Sequence, residues 1–278
     1  KLPLDVKGAD ILLVTPSADF FAEPHVDGLM GYAKVFHEAG VSWTISSYAS
    51  EAANFGMFIG SYENMRKLAL RIREAAIELG VKRIVFGECG HAWRVAYSFL
   101  NTLAGPFDFL DQNYPIPQHI CEFTHNLIQE NKLRFNKEEN DHMRLTFHDS
   151  CNVARGAGMG QMENGQFIIP RAVIKAVCNH YYDMDQDTIH DATFCCGGGG
   201  GLLTDDLMEL RVKGAQPRME ALRNLTEQHG ITNLAAICAI CKSQFAKVLP
   251  YYGFTMDQIV SVHQLVSNAI VLTGSEQE

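Results

Sequence analysis

What this chain lacks narrows its class. No apolar run in its 278 residues reaches the roughly 20 that cross a bilayer as a helix, so the chain does not span a membrane itself. Positive charge is scarce: 23 Lys and Arg stand against 32 Asp and Glu, a net charge of −9. A nucleic-acid binder needs the opposite balance to neutralise phosphates, so that partner is excluded while protein partners stay open. Eight cysteines are too few for a disulfide scaffold at this length. Hydrophobic residues at 47% and charged residues at 20% are those of an ordinary globular protein, long enough for a large core in one domain or two joined halves. No Met opens the chain and no signal peptide follows Lys1, as in a processed product or a fragment, which leaves room for an upstream domain.

What is there centres on cysteine. Cys195 and Cys196 enter a run of five glycines, Gly197 to Gly201. A backbone without side chains lets a bulky group approach, and adjacent thiols offer two soft ligands at one point. No Gly-Lys-Ser/Thr follows, so the run is not a phosphate loop. Cys151 lies upstream, and Cys238 and Cys241 lie downstream as Cys-Ala-Ile-Cys, giving the pattern C-x43-C-C-x41-C-x2-C. Clustered cysteines with a Cys-x-x-Cys favour metal binding or redox work in a reducing compartment. Five thiolates overload zinc, which takes four ligands, and exceed by one the need of a cubane [4Fe–4S] cluster. We expect one iron–sulfur cluster on Cys151, Cys195, Cys196, Cys238 and Cys241. Either one of the five is not a ligand or the cluster is not a simple cubane. Gly197 and its neighbours would turn backbone N–H groups toward inorganic sulfide. A structural zinc module is the competing reading of the same thiols.

The hydrophobic pattern predicts an α/β fold, two tandem duplicated halves with mainly parallel sheets, split as residues 1–138 and 139–278. Strands are expected at 9–15, 43–47, 83–86, 144–147, 188–194 and 234–237. Ser61 should cap a helix that runs to Leu79 and stops at Gly80. A helix is expected from Pro170 to His180, and a long one from Asp205 to His229 broken or turned near Gly214 and Pro217. The repeat places Asn54-Phe55-Gly56-Met57 opposite Thr193-Phe194-Cys195-Cys196, and Cys89 opposite Cys241. Functional residues gather at the carboxyl ends of parallel strands, and Cys151, Cys195 and Cys238 each follow an expected strand end.

Other residues carry two readings. His148, just before Asp149 and Cys151, is a proton donor or cluster neighbour, or it simply satisfies a turn. Arg155 and Lys242 place positive charge beside the cluster or an incoming thiolate, or they are solvated surface groups. Cys89 is a remnant of the duplication or faces substrate. Cys121, His119, His125 and Cys178 read as packing residues.

The cysteine pattern with its preceding His148-Asp149-Ser150-Cys151 resembles the cysteine-rich CCG domain family of heterodisulfide reductase subunits B and D. The resemblance covers essentially the whole chain as two copies, the second intact and the first degenerate, an arrangement that looks most like the DsrK type of DsrMKJOP complexes. It implies a noncubane [4Fe–4S] cluster with Cys151, Cys195, Cys196, Cys238 and Cys241 as ligands, and Gly197 beside it. It implies reduction or formation of a disulfide or trisulfide on a sulfur-carrier protein such as DsrC, whose C-terminal arm bears cysteines. It also implies a haem-b membrane subunit and other complex partners, and a peripheral place on the cytoplasmic side of the membrane. His148, Arg155 and Lys242 are the candidate catalytic residues. The chain departs from such subunits in having no Cys-x2-Cys-x2-Cys-x3-Cys-Pro run, and from two-cluster members in having Gly56 and Met57 at the first pair position. The alternative is an electron-relay subunit of a lactate- or glycolate-type oxidase complex.

Overall fold

The computed structural model describes residues 2–20, 25–51, 53–114, 116–201 and 203–273. Pro115, part of an expected Pro-rich turn, lies outside the described residues. Two all-parallel sheets carry the fold. β1 (Ile11–Val14), β2 (Trp43–Thr44), β3 (Arg83–Phe86) and β4 (Gln118–His119) form one, in the order β2-β1-β3-β4. β5 (Leu145–His148), β6 (Asn233–Ala236) and β7 (Ile259–Ser261) form the other, in the order β5-β6-β7. Val14 pairs with Phe86 and Phe86 with His119; His148 pairs with Ala236 and Ala236 with Ser261. A single parallel bridge from Leu145 to Tyr181 stands where β2 stands beside β1. Every residue of β1 and β5 is buried, because helices cover both faces of a parallel sheet and its strands then read as unbroken apolar runs.

The helices are α1 (His25–Glu38), α2 (Ala53–Phe58), α3 (Tyr62–Leu79), α4 (Gly90–Val95), α5 (Asn101–Ala104), α6 (Ile120–Gln129), α7 (Cys151–Gly156), α8 (Gly165–Val177), α9 (Met208–His229), α10 (Ala239–Val248) and α11 (Val262–Ala269). The helix ends of α3 follow the sequence: Ser61 accepts from the Asn64 N–H, and Gly80 caps with φ 63°. The two halves pack helix on helix, α1 against α11, α6 against α8 and α4 against α7. Gly31 makes the first contact possible, since a Cβ there would lie 2.0 Å from the His263 carbonyl oxygen.

Three expectations are corrected. The strand at 188–194 is absent: two 3-10 turns, Gln186–Thr188 and His190–Ala192, lead into an irregular segment. Its backbone is satisfied by side chains instead of a ladder. Asp149 accepts from the His190 N–H at 2.9 Å, and the Arg218 guanidinium reaches the Thr188 carbonyl and the Thr193 hydroxyl. Cys195 therefore does not follow a strand end. α9 runs unbroken through Gly214 and Pro217, anchored on both sides by buried Arg211, Arg218, Met219 and Leu222. Gly214 packs against Gly197, where a Cβ would make ordinary contact at 3.4 Å. α8 begins at Gly165, so Pro170 lies inside it rather than at its first turn.

Candidate functional site

The carboxyl ends of the strands face a common centre. β5 leads through Asp149 and Ser150 to Cys151, the first residue of α7. β6 leads to Cys238 at the N-cap of α10, and Cys241 sits one turn into that helix. The third arm is the glycine loop. Gly197, Gly199, Gly200 and Gly201 have φ of 86°, 50°, 80° and 118°, which only glycine adopts cheaply. A Cβ on Gly197 would also lie 2.3 Å from the Arg211 carbonyl oxygen. The run is thus a folded cradle against α9, and its amides turn inward: Gly197 N–H donates to Cys195 Sγ at 3.3 Å and Gly198 N–H to Cys196 Sγ at 3.4 Å.

All eight cysteines are free thiols. Cys151 and Cys195, Cys195 and Cys196, Cys196 and Cys241, Cys241 and Cys238, and Cys238 and Cys89 lie close enough to shift one another's ionisation. The five predicted thiols therefore form one contiguous set, joined by a sixth from the first half. The S–H groups of Cys151 and Cys196, with the Gly197 and Gly199 amides, hold Cys195 far below the usual thiol range. Burial opposes ionisation of Cys238, but Cys241, Cys89 and His91 outweigh it and bring it well down. Their donors Cys151, Cys196, Cys241 and Cys89 are held up as neutral thiols. Cys196, Cys238 and Cys241 are buried, while Cys151 and Cys195 reach partway to the surface.

His148 is wholly buried, with both ring nitrogens lacking a hydrogen-bond partner. One of its nitrogens and the Cys196 and Cys241 sulfurs lie within 4.8 Å of one another. Burial, with Arg218 nearby, pushes its pKa down to about 3, so the imidazole is neutral at pH 7. A neutral ring offers one N–H and one lone pair, each costly to leave idle in the interior. Five convergent thiols and an idle buried imidazole are the donor set a soft metal group fits.

Asp149 and Arg155 touch no sulfur and instead hold the segment before Cys195. Asp149 takes both arms of Arg171 at 2.7 and 2.8 Å, and its carbonyl accepts from the Thr193 hydroxyl at 2.8 Å. Exposed Arg155 donates to the carbonyls of Asp191 and Thr193 at 2.9 and 2.8 Å.

The surface reading of Lys242 is overturned. Its ammonium is fully buried, 3.1 Å from Glu88 Oε2, because the residue after Cys241 on α10 faces the carboxyl end of β3. Glu88 Oε1 accepts from the Nδ1 and backbone N–H of His263 at 2.7 and 2.8 Å, and His263 Nε2 meets the Thr124 hydroxyl at 2.8 Å. Burial opposes the Glu88 charge, yet Lys242 and His263 hold its pKa down at about 2. Glu88, Cys121 and His263 also present ligand atoms within 4.8 Å of one another, but the Lys242 ammonium already neutralises the carboxylate. Cys121 lies buried beside this cluster, its N–H bonded to His119 Nδ1 at 3.1 Å, and Cys178 is buried in the main core.

Sequence reading missed Glu88, Glu51, His91 and His263. Glu88 had a signal, an acidic residue at the end of an apolar run. Glu51 lies 4.0 Å from Cys89 Sγ, its pKa pushed up to about 7 by burial with Asp19 and Cys238 nearby.

The chain is 40% identical to the Hdr-like menaquinol oxidoreductase iron–sulfur subunit of Archaeoglobus profundus, over 96% of this chain and 52% of that protein. It is 40% identical to the Hdr-like menaquinol oxidoreductase iron–sulfur subunit 2 of Archaeoglobus fulgidus, over 98% and 53%. A dihydromethanophenazine:CoB–CoM heterodisulfide reductase subunit of Methanosarcina barkeri is 28% identical over 64% of this chain and 38% of its own. The chain thus spans about half the length of the first two. No family model matches. Among the described residues, no helix is long and apolar enough to cross a membrane.

Proposed function

Starting from the heterodisulfide reductase B/D-like family that these similarities support, we propose that the chain is the cluster-bearing part of an iron–sulfur oxidoreductase subunit. Cys151, Cys195, Cys196, Cys238 and Cys241 hold one noncubane [4Fe–4S] cluster. The observation that carries this reading is the meeting of five thiols from three distant stretches in one set beside the idle nitrogens of His148. When bound, the cluster supplies one-electron transfer and an iron site for a substrate sulfur.

The chain's own residues do the rest. The Gly197 and Gly198 amides stabilise sulfur charge at Cys195 and Cys196. Neutral His148 turns an N–H or a lone pair toward Cys196 and Cys241 in a dry pocket. Its burial makes it a poor carrier of bulk protons, so its role is to hold the site rather than to deliver a proton. Arg155 and Asp149 fix the approach to Cys195, and Lys242 with Glu88 braces α10 behind Cys241. Cys151 and Cys195 reach partway out, so a substrate sulfur enters on their side. A cleft of about 750 Å³ lined by Phe167, Arg171, Lys175, His190 and Asp191 also reaches Ala154, three residues along α7 from Cys151.

The substrate is a disulfide or trisulfide on a sulfur carrier such as a DsrC-like protein, within a DsrK-type, membrane-associated complex that includes a haem-b subunit and works on the cytoplasmic side. A quinol as the complex's other substrate is supported by relatives named menaquinol oxidoreductase subunits. The test is the EPR spectrum of oxidised, anaerobically prepared protein before and after a thiol substrate is added. A thiol-dependent signal supports sulfur chemistry at the cluster. A cluster indifferent to thiols favours an electron relay.

A further inference from the structure

We propose that His91, from the half without the cysteine pair, donates a hydrogen bond to the Cys238 thiolate and so sets the reduction potential of the group the thiols hold. The inference rests on the iron–sulfur reading above. His91 Nδ1 lies 3.4 Å from Cys238 Sγ, with both residues buried. A thiolate, free or bound to metal, has no proton to give, so Nδ1 must carry the hydrogen.

The ring is built into its place. His91 sits in the first turn of α4, and Phe58, the last residue of α2, packs its ring edge-on at 4.8 Å. Phe58 also closes on the glycine loop, where a Cβ on Gly200 would meet its ring at 3.0 Å. One aromatic side chain thus positions both the histidine and the cradle. Glu51 and Cys195 are the other ionisable groups near the ring.

The other sulfurs that have N–H donors draw them from their own segments, Cys151 from the adjacent Asn152 amide at 3.8 Å. Cys195 and Cys196 take their N–H donors from the backbone of their own loop. Cys238 takes its N–H donor from a side chain across the interface between the halves, and that donor is replaceable by mutation without touching the cradle. A hydrogen bond to a cluster thiolate favours the more electron-rich, reduced form, and a dry setting strengthens it. Removing the donor therefore lowers the potential. His91 is a positioning residue, acting through Cys238.

The test compares His91→Phe, which fills the slot without a donor, with His91→Asn, which keeps an N–H near the Nδ1 position. Iron, acid-labile sulfide and an EPR-monitored redox titration are read on the full chain prepared anaerobically. At the wild-type midpoint, His91→Phe should lower the reduced-to-oxidised ratio about tenfold, which is about 59 mV for a one-electron couple, with iron content unchanged. His91→Asn should stay close to wild type. His91→Phe titrating with wild type at full iron overturns the inference and leaves the iron–sulfur reading standing. If His91→Phe and His91→Met both fail to load iron while His91→Asn loads, the donor is required for assembly, which supports the inference. If His91→Asn fails as well, the ring's shape matters rather than its N–H, and the inference falls. A wild-type chain without iron or sulfide sinks the iron–sulfur reading itself.

Discussion

The two halves of this molecule use one plan for opposite chemistry. In each, a first strand pairs in parallel with a second, the second with a third, and polar residues collect at the carboxyl ends. In the second half those ends carry thiols. In the first they carry Asp19, Glu51, Glu88, His91 and His119, all buried. After β6 comes Cys238; after β3 come Glu88 and Cys89. The comparison teaches that the first half, which has no cysteine pair, still carries a filled site. Hard acid and base groups fill it and face the soft set across the interface, as Lys242 meets Glu88 and Cys238 meets His91.

The largest break in this comparison should come from swapping thiols one half at a time. Cys196→Ser should strip most of the roughly four irons expected per chain, whereas Cys89→Ser should keep them. Iron and sulfide analysis of the two variants reads this directly. Equal loss in both would make Cys89 a member of the binding set.

Next is the charge pair that joins the halves. Removing one partner of a buried ion pair leaves the other charge unpaired, which costs about 3–5 kcal/mol. Lys242→Met alone should lose that much in urea unfolding. Lys242→Met with Glu88→Gln should recover part of it, and a double variant no better than the single would deny the coupling.

The positions of two of the five thiols were legible because a cysteine after an apolar run marks a strand's carboxyl end in a parallel sheet. Cys151 and Cys238 follow that rule. Cys195 does not, because the strand expected at 188–194 is replaced by turns whose polar groups are met by Arg218 and Asp149, 25 or more residues away in sequence. Lys242 looked like surface because a lysine beside a cysteine gives no sign of its partner, and Glu88 lies 154 residues away. Periodicity reports which face of an element is buried. It does not report which charge waits on the other half.

Smaller effects sharpen the same contrast. Gly197→Ala combines positive φ with a clash on the Arg211 carbonyl and should cost about 1–3 kcal/mol or more. Gly80→Ala in the first half, positive in φ but with open space around it, should cost about 1 kcal/mol, both measured by chemical denaturation.

Titration treats the halves alike, since burial lowers His148 in the second half and His119 in the first to about 3. Burial pushes the His119 pKa from the ordinary 6.5 down to about 3. Above pH 6.5 neither folded nor unfolded chain carries that proton. As pH falls below 6.5 the unfolded chain binds it first, so stability drops until about pH 3, by at most about 1.4 kcal/mol per pH unit. His119→Asn keeps a good N-cap for α6 and should cut the stability change between pH 5.5 and 7.5 by about 1.4 kcal/mol, an average of about half a proton, in unfolding curves. An unchanged slope would place the proton uptake elsewhere.

The central claim is that five thiols of the second half hold one iron–sulfur cluster. Iron and acid-labile sulfide per anaerobically prepared chain, read with Mössbauer spectra, test it most directly. The account predicts about four of each, with iron sites that are not those of a symmetric cubane. One zinc per chain with no labile sulfide would contradict it.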